Sequence, residues 1–126
     1  MTRTDRKTLR GLRILVVEDE FLIACQIEET LSDAGCEVVG PAPHLERAMK
    51  IAEDETLDGA ILDVNLRGDK VYPVAVRLRD RGIPFIFATG YTGDYLPECF
   101  RKAPLLPKPL NTAMLLKQAR ASFAPG

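Results

Sequence analysis

Six residues of this chain have types and positions that could do chemistry together: Glu18, Asp19, Asp63, Asn65, Thr89 and Lys108. Three are carboxylates, one is an ammonium, one a hydroxyl and one an amide. Carboxylates gathered unpaired on one rim repel each other, and burial makes that worse. A hard divalent cation offsets the repulsion. Mg²⁺ takes oxygen ligands, usually one or two carboxylates together with waters and a substrate phosphate. Glu18, Asp19, Asp63 and the backbone carbonyl of Asn65 are the candidate ligands. Asp63 is also a candidate nucleophile, because a carboxylate can form an aspartyl phosphate. Phosphoryl transfer needs positioning and charge compensation more than covalent help. Lys108 offers a compact point charge to a phosphate oxygen, and Thr89 a hydroxyl to another.

Taken singly, each residue has a plainer role. Glu18 and Asp19 suit the positive end of a helix. Asp63 could cap a strand end, Thr89 could serve a turn, and Lys108 could be a solvated loop lysine. What favours the chemical reading is that each falls directly after a predicted strand.

Those strands come from short apolar runs. Arg13–Val17 is consecutively apolar from Ile14, as expected of a strand buried on both faces in a parallel sheet. Further strands are expected over residues 36–40, closed by Pro41 and Pro43, and over 57–64, 83–88 and 104–106. Helical periods fill the gaps. The first runs over 20–34, with Phe21, Leu22, Cys25, Ile27 and Leu31 as its apolar positions and Gly35 as its stop. The second covers 44–54, and the lone His44 near its start has a surface or capping role. The third covers 71–81, with Val74, Val76 and Leu78 for burial, Pro73 in its first turn and Arg77, Arg79, Asp80 and Arg81 on its solvated side. A short helix interrupted by Pro97 is expected over 94–102. The last runs over 111–122 behind an Asn111 cap, with Met114, Leu115, Leu116 and Ala119 facing inward. Residues 65–70 read as a loop. Strands alternating with helices argue a parallel sheet covered on both faces. In such sheets the working crevice lies beyond the carboxyl ends of the strands, where the six residues fall.

Composition narrows the function. At 126 residues, 46% hydrophobic and 28% charged, the chain reads as one globular domain, with no room for an effector module. Its net charge of −1 gives no global field for nucleic acid or anionic membranes. The basic residues before position 14 read as part of a flexible, solvated arm over 1–11, ahead of a domain over 12–123. No apolar stretch reaches the ~20 residues of a membrane span, and no secretory signal is recognisable. Cys25, Cys36 and Cys99 are odd in number and widely spaced, which suits reduced thiols in a cytoplasmic protein, Cys25 being read as core filler.

With these residues in place, the chain resembles the receiver domain of bacterial two-component response regulators from about Arg13 to Ala121. The resemblance rests on Glu18 and Asp19, Asp63 after the third strand, Thr89 after the fourth, and Lys108-Pro109 after the fifth. It implies a CheY-like, flavodoxin-like α/β fold, a doubly wound (βα)₅ parallel sheet of strand order 2-1-3-4-5. It also implies that Asp63 accepts phosphate from a sensor histidine kinase or histidine phosphotransfer protein, with Mg²⁺ held by Glu18, Asp19, Asp63 and the Asn65 carbonyl. Such a protein catalyses only its own phosphorylation and dephosphorylation and is not otherwise an enzyme. A cis bond between Lys108 and Pro109 is a further implication. Two departures stand out. The first acid is Glu18 where the family often has aspartate, and Leu105 occupies the place of the switch aromatic three residues before the lysine. The stretch Pro84-Phe85-Ile86-Phe87-Ala88-Thr89-Gly90-Tyr91 resembles the FAT GUY subgroup, which lacks that aromatic. Tyr91 is then the candidate switch residue, and the output face comprises helix 94–102, strand 104–106 and helix 111–122, meeting a protein partner. Two rivals are a receiver-like adaptor that is never phosphorylated and an Asp-nucleophile phosphatase. The second usually has a second acid where Asn65 stands.

Overall fold

A computed structural model describes residues 8–90 and 96–125. Strands β1 (Arg13–Val17), β2 (Glu37–Ala42), β3 (Gly59–Asp63), β6 (Phe85–Thr89) and β7 (Leu105–Pro107) form one five-stranded sheet. Every pairing in it is parallel, and the order is β2-β1-β3-β6-β7. The two short strands β4 (Asn65–Leu66) and β5 (Asp69–Lys70) form an antiparallel hairpin outside it. With the hairpin set aside, the order is the expected 2-1-3-4-5. The helices are α1 (Phe21–Asp33), α2 (Leu45–Asp54), α3 (Tyr72–Asp80) and α4 (Thr112–Phe123).

Alternate residues of a strand face opposite sides of its sheet, and two separate cores follow. Leu15, Val17, Ala60, Leu62, Phe85 and Phe87 pack with α2 and α3. Ile14, Val16, Ile61, Ile86 and Leu106 pack with α1 and α4. The sheet is thus doubly wound, which explains why its inner strands read as unbroken apolar runs. Phe87 and Phe100 are fully buried and meet edge-on with ring centroids 5.5 Å apart, while Tyr72 stacks on Phe100 at 5.8 Å. At Gly59 the backbone lies so close to α4 that a Cβ would overlap the Phe123 ring.

Several local expectations are corrected. Strand β2 continues through Pro41 to Ala42 rather than closing at Pro41. Proline is tolerated because β2 is an edge strand with a bulge, its register on β1 shifting between Leu15–Val39 and Val17–Ala42. Gly40 sits there at φ 103, where a Cβ would lie 2.8 Å from the Ala42 nitrogen. The Gly40–Pro41 bond is cis, as is Lys108–Pro109. Residues 65–70 are the β4–β5 hairpin rather than a plain loop. Among the described residues of 94–102, the expected helix is reduced to a 3₁₀ turn at Glu98–Phe100. Its lead residue, Pro97, is extended and has no N–H to give. Phe21, Leu22, Val76 and Met114 are exposed rather than inward-facing, and Cys25 is only half-buried. His44 is exposed at the N-cap of α2 and makes no side-chain cap bond.

The basic residues expected in solvent are partly engaged. Arg13 pairs with Glu37 at 2.7 Å and Glu55 at 2.9 Å. Leu9 is buried, and Gly11 N donates to Gly35 O, so the part of the arm from residue 8 to 11 packs on the domain. Arg77 pairs with Glu53, and Arg81 donates to the carbonyls of Ala52 and Glu55. Arg79 lies 4.5 Å above the Phe100 ring and donates to Cys99 O. All three cysteines are free. No helix among the described residues is long and apolar enough to cross a membrane.

Candidate functional site

Each parallel strand ends on the same edge of the sheet, so residues that close different strands meet there. Glu18 follows β1 directly and Asp63 ends β3, its neighbour across the ladder. Thr89 ends β6, rather than following it, and Lys108 follows β7. Glu18, Asp63 and Thr89 are buried, at 2%, 5% and 3% exposure. Asp19, Glu20, Asp63, Asn65, Arg67, Gly90 and Lys108 line an open cleft of about 490 Å³. Glu18 sits at its margin and reaches Lys108. Tyr91 lies outside the described residues. Leu105 is 43% exposed on β7, which holds no aromatic residue.

Lys108 is the hub. Its Nζ lies 3.0 Å from Glu18 Oε1, 3.4 Å from Asp63 Oδ1 and 3.5 Å from Glu20 Oε1. Its backbone N–H donates to Thr89 O at 2.8 Å, which ties the end of β7 to the end of β6. Burial disfavours the charged ammonium, but Glu18, Asp63 and Glu20 together outweigh that and raise the Lys108 pKa. One ammonium does not satisfy this many acids. Glu18 Oε1 has no well-directed hydrogen bond despite its short contact with Lys108, and Glu18 Oε2 accepts from Glu20 N at 3.1 Å. Asp63 is pushed up to about 8, first by burial and then by the repulsion of Glu18, while Lys108 pulls it down. Asn65 N donates to Asp63 Oδ1 at 3.3 Å, and Lys70 Nζ donates to Asn65 Oδ1.

Oxygens of Glu18, Asp19 and Asp63 all lie within 4.8 Å of one another. The donor set is all hard oxygen, and one buried member lacks a directed partner. These residues fit a hard dication such as Mg²⁺.

A family model for the response regulator receiver domain matches residues 14–120. The chain belongs to this family. The receiver is 34% identical over 113 residues to the phyllosphere-induced regulator PhyR of Methylorubrum extorquens, covering 84% of this chain and 42% of that protein. It spans about half the length of the curated relatives it matches. The solution structure of SdrG from Sphingomonas melonis Fr1 is 41% identical and superposes with a TM-score of 0.71, over 87% of this chain and 93% of that one. The receiver domain of the sensor histidine kinase PA1611 from Pseudomonas aeruginosa PAO1 is 25% identical with a TM-score of 0.76, over 88% and 96% of the two chains. That structure holds a magnesium ion in its active-site cleft.

The fold therefore brings Glu18, Asp19, Asp63, Asn65 and Lys108 together and buries Thr89 beside them. Sequence reasoning did not single out Glu20, Arg67, Lys70 or Gly90 as parts of the site. Glu20 was visible as the third acid of its run, and Arg67-Gly68 as a turn signal close after Asp63. Nothing in the sequence says that the turn folds back to the cleft.

Proposed function

We propose that this receiver accepts a phosphoryl group on Asp63 from the phosphohistidine of a sensor kinase or phosphotransfer protein. One observation carries the reading: three carboxylates within 4.8 Å of one another meet one lysine where the parallel strands end. Asp63 attacks as the carboxylate; the phosphorus–nitrogen bond of the donor breaks as the phosphorus–oxygen bond forms. Glu18, Asp19, Asp63 and the carbonyl of Asn65 would hold Mg²⁺, which when bound neutralises charge on the phosphoryl oxygens. Lys108 gives a phosphoryl oxygen a fixed positive partner. Thr89, which ends β6, gives its hydroxyl to another. Hydrolysis later returns Asp63, so the protein catalyses only its own modification.

Output passes by contact with a protein partner, through the face made by the Glu98–Phe100 turn, β7 and α4. Leu105 and Met114 expose apolar side chains on those elements, at 43% and 50%. Tyr91, two residues after Thr89 in the FAT GUY-like stretch, is the proposed responder. The test is labelling by a small phosphodonor. We expect Mg²⁺-dependent labelling of the wild type and none of Asp63→Asn; equal labelling of both would refute the assignment.

A further inference from the structure

Arg67 is a charged residue of the cleft that the chemistry above leaves unused. It occupies the first place of the two-residue turn joining β4 to β5, at φ 51, and Gly68 follows at φ 96. Two successive positive φ angles make a type I′ hairpin, whose first place favours Asn, Asp or Gly. Arginine is disfavoured there. An unfavourable residue kept at the edge of a site invites a functional explanation.

Charge supplies one. Among the described residues, the cations lining the cleft are Arg67 and Lys108. Lys108 is already shared by Glu18, Asp63 and Glu20. Arg67 is held more loosely: its Nε lies 3.9 Å from Asp19 Oδ2, and its side chain is 70% exposed. Asp19 is also a proposed metal ligand. With Asp19 committed to a dication, the guanidinium loses its partner and is repelled. A phosphoryl group on Asp63 would then place negative oxygens in the same cleft. The planar guanidinium matches phosphate geometry better than an ammonium does.

We propose that Arg67 binds the phosphoryl group, exchanging Asp19 for its oxygens when metal and phosphate arrive. The inference rests on Asp63 being the acceptor. It involves no new covalent step, and the guanidinium stays protonated throughout.

The test uses Arg67→Asn, which suits the turn and removes the charge, and Arg67→Lys, which keeps the charge without the fork. Without phosphodonor, calorimetry should show Arg67→Asn binding Mg²⁺ about two- to fourfold more tightly than wild type, since a competitor for Asp19 is gone. At saturating Mg²⁺, the phosphoramidate concentration giving half-maximal labelling should rise about tenfold. The maximal rate should change less, and Arg67→Lys should fall between. The melting temperature of Arg67→Asn should not drop, because asparagine favours the turn. Unchanged half-saturation in Arg67→Asn, with wild type labelled normally, overturns the Arg67 role and leaves the Asp63 reading standing. Earlier melting with loss of both metal and donor affinity marks a purely structural role and also overturns it. If Asp63→Asn is labelled like wild type, the Asp63 reading itself fails and the Arg67 role falls with it.

Discussion

Asp63→Asn should make the metal-free receiver more stable. In the folded chain the Asp63 carboxyl is raised from 3.8 to about 8, by burial first and by Glu18 second. Between those two values the folded state binds a proton that the unfolded state has released. Stability from this group is therefore fully present below about pH 4 and falls as pH rises toward 8. At pH 7 the gap from the ordinary value is roughly three units, and each unit is worth about 1.4 kcal/mol. The ceiling on the penalty is then about 4 kcal/mol. The cleft is open on one side, so water and side-chain movement reduce it, and we expect about 1–3 kcal/mol. Asparagine keeps the shape and carries no charge, so it removes the penalty. For a domain of this size the gain should appear as a rise of several degrees in melting temperature. The assay is thermal and urea unfolding in EDTA from pH 5.5 to 8. The advantage of Asp63→Asn should widen with pH, and Mg²⁺ should narrow it by stabilising the wild type more than the variant, which lacks one of the four proposed ligands. A variant no more stable than wild type at pH 7 in EDTA, or an advantage independent of pH, would refute the electrostatic reading of the site.

Other consequences follow from the same geometry. Mg²⁺ binding should release about one proton below pH 8, so apparent affinity should climb by up to about tenfold per pH unit between 6 and 7; calorimetry in buffers of different protonation enthalpy checks this, and a flat profile counts against it. Gly59→Ala should cost about 1–3 kcal/mol by overpacking against Phe123, with partial relief when Phe123→Leu is added. Arg79→Ala should cost about 1–2 kcal/mol, because it removes a cation above Phe100 and a hydrogen bond to Cys99 O; urea unfolding that matches wild type would show that neither contact contributes.

Much of this protein was legible in its sequence for a local reason. Ile14–Val17 and Ala60–Leu62 are apolar without interruption because strands in the middle of a parallel sheet are buried on both faces. Chain order and strand alternation then put Glu18, Asp63, Thr89 and Lys108 at one edge, since parallel strands all end on the same side. Asn111 also announced its cap, accepting from Met114 N at 3.0 Å. These features depend on period and on position along the chain.

Other properties depend on what arrives from elsewhere in the fold. Phe21 and Leu22 satisfy a helical apolar pattern yet lie exposed, because no element among the described residues covers the start of α1. Arg79 and Arg13 look like solvated charges until Phe100, Glu37 and Glu55 are brought to them. The turn at Arg67 meets Asp19 only because the β4–β5 hairpin folds over the cleft. The raised pKa of Asp63 is likewise tertiary, since burial and the distance to Glu18 are set by packing and by no residue's type. By itself the sequence determined which chemical groups stand at the strand ends. The tertiary structure decided how deeply they are buried and how strongly they interact, because desolvation and Coulomb energies depend on distances that local pattern does not specify.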